Sequence, residues 1–225
     1  MYVLHSATPA FGAKSSSPFA MKAESLLRLA GVDFTRVDTM PTKGPRKKLP
    51  FLTLPGGAVL SDSWNIQQHL VAHEGLALAA APLETALRRV IEDSLYFAQM
   101  HVRWAYHPHA VRDGLLGEVP APLRGVVFRL IRKSVRQATW GQGIGRRPEP
   151  EMLELVRQDL DALEAALGEG PFLGGTTMSG ADLSLHGLLE QLVPVTFDDP
   201  LTAAVRARDR LVALHGRVDA ALYAD

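Results

Sequence analysis

Three short stretches of this 225-residue chain carry side chains whose types and spacing could do chemistry. Ser15-Ser16-Ser17-Pro18-Phe19 gathers hydroxyls at what reads as a helix start. Lys48-Leu49-Pro50-Phe51 ends a basic run that includes Lys43, Arg46 and Lys47. Asp62-Ser63 opens a second apolar helix pattern. Singly, each has an ordinary explanation. Serine and aspartate cap helices, and only about 5–6% of X–Pro bonds are cis. Together they suit an anionic, peptide-like ligand. A hydroxyl at a helix N-terminus can donate to an anion, and the positive end of the helix adds about 0.3–1 kcal/mol. A thiol held there has its thiolate stabilised, each unit of pKa lowering being worth about 1.4 kcal/mol. A cis Pro50 would turn the backbone of Leu49 outward, to pair with a peptide as an added strand does. Asp62 can take an ammonium, while Ser63 and a helix-start N–H take a carboxylate. Lys48 offers a partner for a second carboxylate.

These groups need a scaffold, and the patterning describes one. Tyr2–Thr8 reads as a strand and Pro18–Ala30 as a helix with Ser17 at its cap, Pro18 in its first turn and Gly31 as its stop. A second strand is expected over Asp33–Asp38. Phe51–Leu54 and Ala58–Leu60 flank Pro55-Gly56-Gly57 as a hairpin. A helix over Asp62–Ala72 follows, with Ile66, Leu70 and Trp64 expected to face inward. Beyond the small-residue stretch Ala77–Pro82 no strand pattern appears. Helices are expected over Thr85–Tyr106 and Leu123–Thr139, on the 3-4-3-4 spacing of Leu153, Val156, Leu160, Leu163 and Leu167, around Leu185–Leu192, and over Leu211–Leu222. The predicted organisation is an α/β domain over residues 1–76 and an all-helical domain over residues 83–225.

A thiol, a peptide backbone, an amino-acid head group and a far carboxylate are the parts of glutathione. Ser17-Pro18-Phe19 with Leu27-Arg28-Leu29-Ala30-Gly31, Lys43 to Phe51, and Asp62-Ser63 with Ile66 and Leu70 resemble, in register, the first domain of glutathione S-transferases. Phe172-Leu173-Gly174-Gly175 followed by Ser179-Gly180-Ala181-Asp182 resembles the N-capping box of their helical domain. Gly143-Ile144-Gly145-Arg146 and the Asp159–Leu163 helix are similar to the metaxin and failed-axon-connections branch. The resemblance implies a thioredoxin-like domain plus an all-α domain, glutathione as co-substrate, an electrophilic small-molecule acceptor and a homodimer. It further implies that Ser17 contacts the sulfur, with Ser16 or Ser15 as alternatives. By the same resemblance Leu49 would pair with the cysteinyl backbone beside a cis Pro50, Asp62 and Ser63 would hold the γ-glutamyl end, and Lys48 would hold the glycyl carboxylate. Serine in place of cysteine at 17 argues against mixed-disulfide chemistry, and the metaxin-like features make a non-catalytic assembly module the alternative.

Composition narrows the classes. Basic and acidic residues balance at 24 each, so no overall field favours nucleic acid or an anionic membrane. The chain has no cysteine, which removes disulfides, thiolate metal sites and a cysteine nucleophile. Neither a secretory leader nor a membrane-length apolar run is recognisable, and a cytoplasmic protein is expected. His101, His107 and His109 lack the spacing and the acidic neighbours of a metal site, and none is expected. Trp104 and Tyr106 are candidates for the acceptor pocket, while Arg129, Arg132, Lys133 and Arg136 read as a solvated helix face.

Overall fold

Strand β1 (Tyr2–Ser6) buries Tyr2, Leu4 and Ser6 on one face, the period-two pattern of a half-covered strand. In the computed structural model, which describes residues 1–80, 83–117 and 119–224, β1 is an inner strand of a four-stranded sheet ordered β2-β1-β3-β4. It pairs in parallel with β2 (Phe34–Asp38) and antiparallel with β3 (Phe51–Thr53), which continues through a hairpin into β4 (Val59–Ser61). The parallel pairing requires a crossover, supplied by α1 (Pro18–Leu29). Gly31, at φ 66, ends that helix with the left-handed backbone an Ala would resist. Helix α2 (Ser63–His73) closes the layer, burying Ile66 and Leu70.

The remaining described chain is helical. Helix α3 (Glu84–Arg89) runs through a π-helical turn at Val90–Leu95 into α4 (Tyr96–Tyr106). Then come α5 (Pro108–Leu115), α6 (Ala121–Gln142), α7 (Glu149–Leu167), α8 (Gly180–Leu189), α9 (Pro200–Arg206) and α10 (Asp209–Leu222). All ten residues of α8 are buried. Its start is fixed by a reciprocal capping box, in which Ser179 Oγ accepts from the Asp182 N–H at 3.3 Å and Asp182 accepts from the Ser179 N–H at 2.8 Å. Asp182 also takes the Leu173 N–H at 2.7 Å, so one buried carboxylate organises the whole turn.

One continuous apolar cluster runs from Leu4, Leu26 and Leu52 under the sheet to Leu160, Leu185 and Leu214 among the helices. Helix α1 lies between the two layers, with Pro18 buried and Ala20 through Leu27 buried. A Cβ on Gly187 of α8 would fall inside contact distance of the Pro18 carbonyl oxygen, so only glycine permits this approach. The start of α1 is thereby held against the helical layer.

The structure corrects several expectations. Trp64 does not face inward: it is 41% exposed, because the core-facing positions of α2 are 63, 66, 67 and 70. The Arg88 guanidinium covers its ring at 4.5 Å instead. Helices α5 and α9 were not expected from periodicity, being short and opened by Pro108 and Pro200. The helix expected over Leu185–Leu192 starts earlier and ends at Leu189. Of the Ala77–Pro82 stretch, Ala81 and Pro82 lie outside the described residues.

Candidate active site

Two adjoining depressions open on the same side of the molecule. The smaller, about 460 Å³, is a groove lined by Phe19, Arg46, Lys48, Leu49, Pro50, Ser61, Asp62 and Ser63. The larger, about 1310 Å³, is a cleft between the layers whose walls include Ser16, Ser17, Tyr96, Phe97, Met100, Arg103 and Trp104. Phe19, Lys48 and Leu49 line both, so groove and cleft share a wall. Ser17, Lys48, Leu49, Pro50, Asp62 and Ser63 each lie on one or the other.

At the cleft, Ser17 is the N-cap of α1, its Oγ accepting from the Ala20 N–H at 3.3 Å. A capping hydroxyl uses an oxygen lone pair, which leaves its O–H free to donate. Ser16 shares the cleft wall. Ser15 does not: it is fully buried and its Oγ donates to the Ala7 carbonyl at 3.0 Å. Of the three serines, only 16 and 17 can meet a ligand.

The backbone beneath them is held from the helical layer. Arg103 Nη1 donates to the Ser16 carbonyl at 3.1 Å, and Gln191 Nε2 donates to the Ser15 carbonyl at 2.9 Å. Gln191 Oε1 in turn accepts from Arg103 Nη2 at 2.9 Å. Arg103 is buried and its Nε has no hydrogen-bond partner among the described residues. No carboxylate is paired with it among them. Burial pulls its guanidinium down to about 10, still a full positive charge at neutral pH. Nothing in the sequence marked this residue, because its partners lie about 90 positions away on either side.

In the groove, the Leu49–Pro50 bond is cis. The Pro50 carbonyl is taken by the Asp62 N–H at 3.1 Å, while the N–H and C=O of Leu49 have no partner among the described residues. Asp62 is exposed and holds φ at 82, a conformation unusual for a non-glycine residue. Its carboxylate accepts from the Trp64 N–H at 2.9 Å. Non-glycine residues held at such angles cost about 1–3 kcal/mol and gather at ligand sites. Ser63 is buried beside it, and Lys48 stands exposed with no ion pair among the described residues. Gly44 packs so closely under the Lys48 carbonyl that a side chain there would displace it.

A further charged group borders the cleft. The π-helical turn carries Glu92 inward, where it accepts from Lys22 Nζ at 2.8 Å and Ser184 Oγ at 2.9 Å, with Arg88 at 3.1 Å. Burial alone would raise the Glu92 carboxyl, but Lys22, Ser184 and Arg88 outweigh it and hold the group below its ordinary range.

Two aromatic expectations part here. Trp104 lines the cleft, stacked on Phe128 at 5.8 Å. Tyr106 does not; it is 40% exposed and bonded to Glu149. His107, read from the sequence as lacking an acidic neighbour, has one through the fold: Asp199 Oδ2 lies 2.9 Å from its Nε2. His109 is exposed.

The profile of the glutathione S-transferase N-terminal domain matches residues 18–109, and that of the glutathione S-transferase C-terminal domain matches residues 136–216. Between them they take in most of the chain and both sides of the cleft. The chain belongs to the glutathione S-transferase superfamily. An isoprene-epoxide–glutathione S-transferase of Rhodococcus sp. (strain AD45) is 29% identical to this glutathione S-transferase homologue over 210 residues, 85% of this chain and 87% of that protein. Failed axon connections of Drosophila melanogaster is 24% identical over 195 residues, 79% of this chain but 47% of that protein. Among solved structures, a glutathione S-transferase of Ceriporiopsis subvermispora in complex with glutathione superposes with a TM-score of 0.71 at 16% identity, covering 100% of this chain and 98% of its own. The beta-etherase LigF of Sphingobium sp. strain SYK-6 gives 0.65 at 20% identity, covering 97% and 95%. These superpositions establish the superfamily's fold for the chain: a mixed four-stranded sheet domain followed by a helical one.

Proposed function

We propose that the chain is a glutathione transferase that binds the tripeptide across the groove and joins its sulfur to an electrophile held in the cleft. The observation that carries this reading is the shared wall of Phe19, Lys48 and Leu49, which lets one extended ligand reach from Asp62 to Ser17. The γ-glutamyl head lies at Asp62 and Ser63, the carboxylate taking Ser63 and the free N–H groups that start α2. The cysteinyl unit pairs with the open backbone of Leu49 beside Pro50. Lys48, with Arg46 near it, takes the glycyl carboxylate.

The thiol then meets the start of α1, where the Ser17 hydroxyl donates to it and the helix's positive end favours its thiolate. The buried charge of Arg103, which lines the same cleft as Ser17, adds to that field. Attack forms a carbon–sulfur bond while the electrophile's leaving bond breaks, and Tyr96, Phe97, Met100 and Trp104 offer an apolar acceptor wall. For an epoxide, the class named by the Rhodococcus relative, the broken bond is C–O and the alkoxide takes a proton from water. Positioning two reactants together supplies much of the acceleration.

The parts assigned from the sequence follow the same reading: a glutathione-binding domain over 1–76 and a helical domain over 83–225, in a cytoplasmic homodimer. No described helix is long and apolar enough to cross a membrane. The homodimer draws support from α6, which exposes Leu123, Val126, Leu130 and Trp140 at 48–65%, an apolar strip suited to a second copy. A non-catalytic module of the metaxin-like branch is the second reading, favoured by the similarity to Failed axon connections; the greater identity and coverage of the Rhodococcus enzyme put catalysis first. Calorimetric titration with glutathione, followed by conjugation to a small epoxide and to an aryl halide, separates them. Binding with turnover supports the enzyme, and binding without turnover leaves the module. No binding at millimolar glutathione removes the groove assignment altogether.

A further inference from the structure

Next to the serine turn, which they reach through Lys14, helices α8 and α10 face each other with matched pairs. His186 and Glu190 are four residues apart at the end of α8, and His215 and Asp219 are four apart on α10. On a helix that spacing puts both side chains on one face. One ligand-type atom from each residue lies within 4.8 Å of all the others. His186 Nε2 is 2.9 Å from Asp219 Oδ1, and His215 Nε2 is 2.8 Å from Glu190 Oε2. His186, Glu190 and His215 are buried, and the two imidazoles stack at 5.1 Å.

We propose that His186, Glu190, His215 and Asp219 form a four-coordinate site for a divalent metal ion of the zinc type. Two imidazoles and two carboxylates are a ligand set that zinc accepts, at bonds of about 2.0–2.2 Å. A tetrahedron with such bonds has edges of about 3.3–3.6 Å, between the short cross-helix pairs and the 4.8 Å outer limit. Small side-chain shifts therefore close the shell.

The outward atoms are already oriented, as those of metal ligands are. Glu190 Oε1 accepts the Lys14 N–H at 2.7 Å, and Asp219 Oδ2 accepts from Lys14 Nζ at 2.8 Å. His186 Nδ1 faces Ser25 Oγ at 3.4 Å, so the imidazole proton can sit at Nδ1 and leave Nε2 free for the metal. The carboxylates of Glu190 and Asp219 face the single ammonium of Lys14, an excess of negative charge in a mostly buried cluster. A buried charge of that kind calls for a cation. The Lys14 ammonium, whose side chain is 37% exposed, can swing into solvent when the metal enters. Because Lys14 lies three positions before Ser17, occupancy would also bear on the loop that carries the serines.

The test uses the full, untagged chain stripped with chelator. Zinc chloride is titrated by calorimetry, cobalt chloride by visible absorption, and thermal stability is read with and without zinc. One saturable zinc per chain, an intense tetrahedral cobalt band and a raised Tm are expected. His215→Gln should weaken zinc by about tenfold or more, whereas Lys14→Met, which removes the competing ammonium, should tighten it. The Lys14 variant, altered at a half-exposed position, keeps the test open if His215→Gln fails to fold. His69 and His73 form an i,i+4 histidine pair outside the cluster, their rings 4.7 Å apart on α2, so His69→Gln is the control and should bind as the parent does. Absence of saturable zinc binding overturns the proposal. So does binding that depends on His69 or is indifferent to Lys14.

Discussion

Removing the Ser17 hydroxyl separates two roles that one atom plays. In Ser17→Ala the cap to the Ala20 N–H, 3.3 Å long, disappears, which should lower stability by about 1 kcal/mol. The hydrogen bond to the thiolate disappears as well. Bonds to charged groups contribute about 1.5–3 kcal/mol, and a pKa unit corresponds to about 1.4 kcal/mol, so the bound thiol should titrate about one to two units higher. Glutathione affinity rests on the groove residues and should stay within about threefold of the parent, since a neutral thiol demands little of the serine. The decisive assay is the pH–rate profile of conjugation alongside the ultraviolet absorbance of bound thiolate. Turnover at neutral pH should fall about 10–100-fold and recover as pH rises past the new thiol pKa. Ser17→Thr retains the cap and the donor and should recover most of the rate. If the Ser17→Ala profile matches the parent while Ser16→Ala shows the displaced one, the assignment moves to Ser16. If neither profile shifts, serine activation of the thiol is wrong.

Three further outcomes follow from the same geometry. Arg103→Met removes a buried cation and the donor to the Ser16 carbonyl; the bound thiol pKa should rise and kcat fall with KM little changed, whereas a purely structural role would show only as a lower Tm. Gly187→Ala forces a methyl against the Pro18 carbonyl, so a loss of about 1–3 kcal/mol in chemical denaturation should accompany reduced turnover at normal glutathione affinity. His186 is held below its ordinary value of 6.5 by burial, so the unfolded chain binds its proton first. Stability is then fully present above that value and should decline as pH falls through about 6.5. Glu92, Glu190 and Asp219, also held low in the fold, should steepen the decline below about pH 4.5. Melting temperatures across pH 4–8 read this directly; a flat profile between pH 5 and 7 would falsify the buried neutral state of His186.

What the sequence disclosed were features written in neighbouring residues. The Pro55-Gly56-Gly57 hairpin, the Ser17 cap and the Ser179–Asp182 box each depend on contacts within a few positions, and all are present. The groove was legible because its parts are three short motifs. Trp64 was misplaced because an apolar residue at a helix start satisfies a periodicity count even when a neighbouring arginine, not the core, covers it. Arg103 and the histidine–carboxylate cluster were out of reach for the opposite reason. The cluster's i,i+4 spacings can be read locally, but its assembly is decided by packing across as many as 205 positions.

The seam where Pro18 rests on Gly187 has an architectural consequence. At that one point the two halves meet by backbone, with no side chain between them, so the contact has no cushion to absorb relative sliding. The serines therefore take their bearing from the helical half, and under the proposed reading acceptor preference is left to the Met100 and Trp104 stretch of the cleft wall.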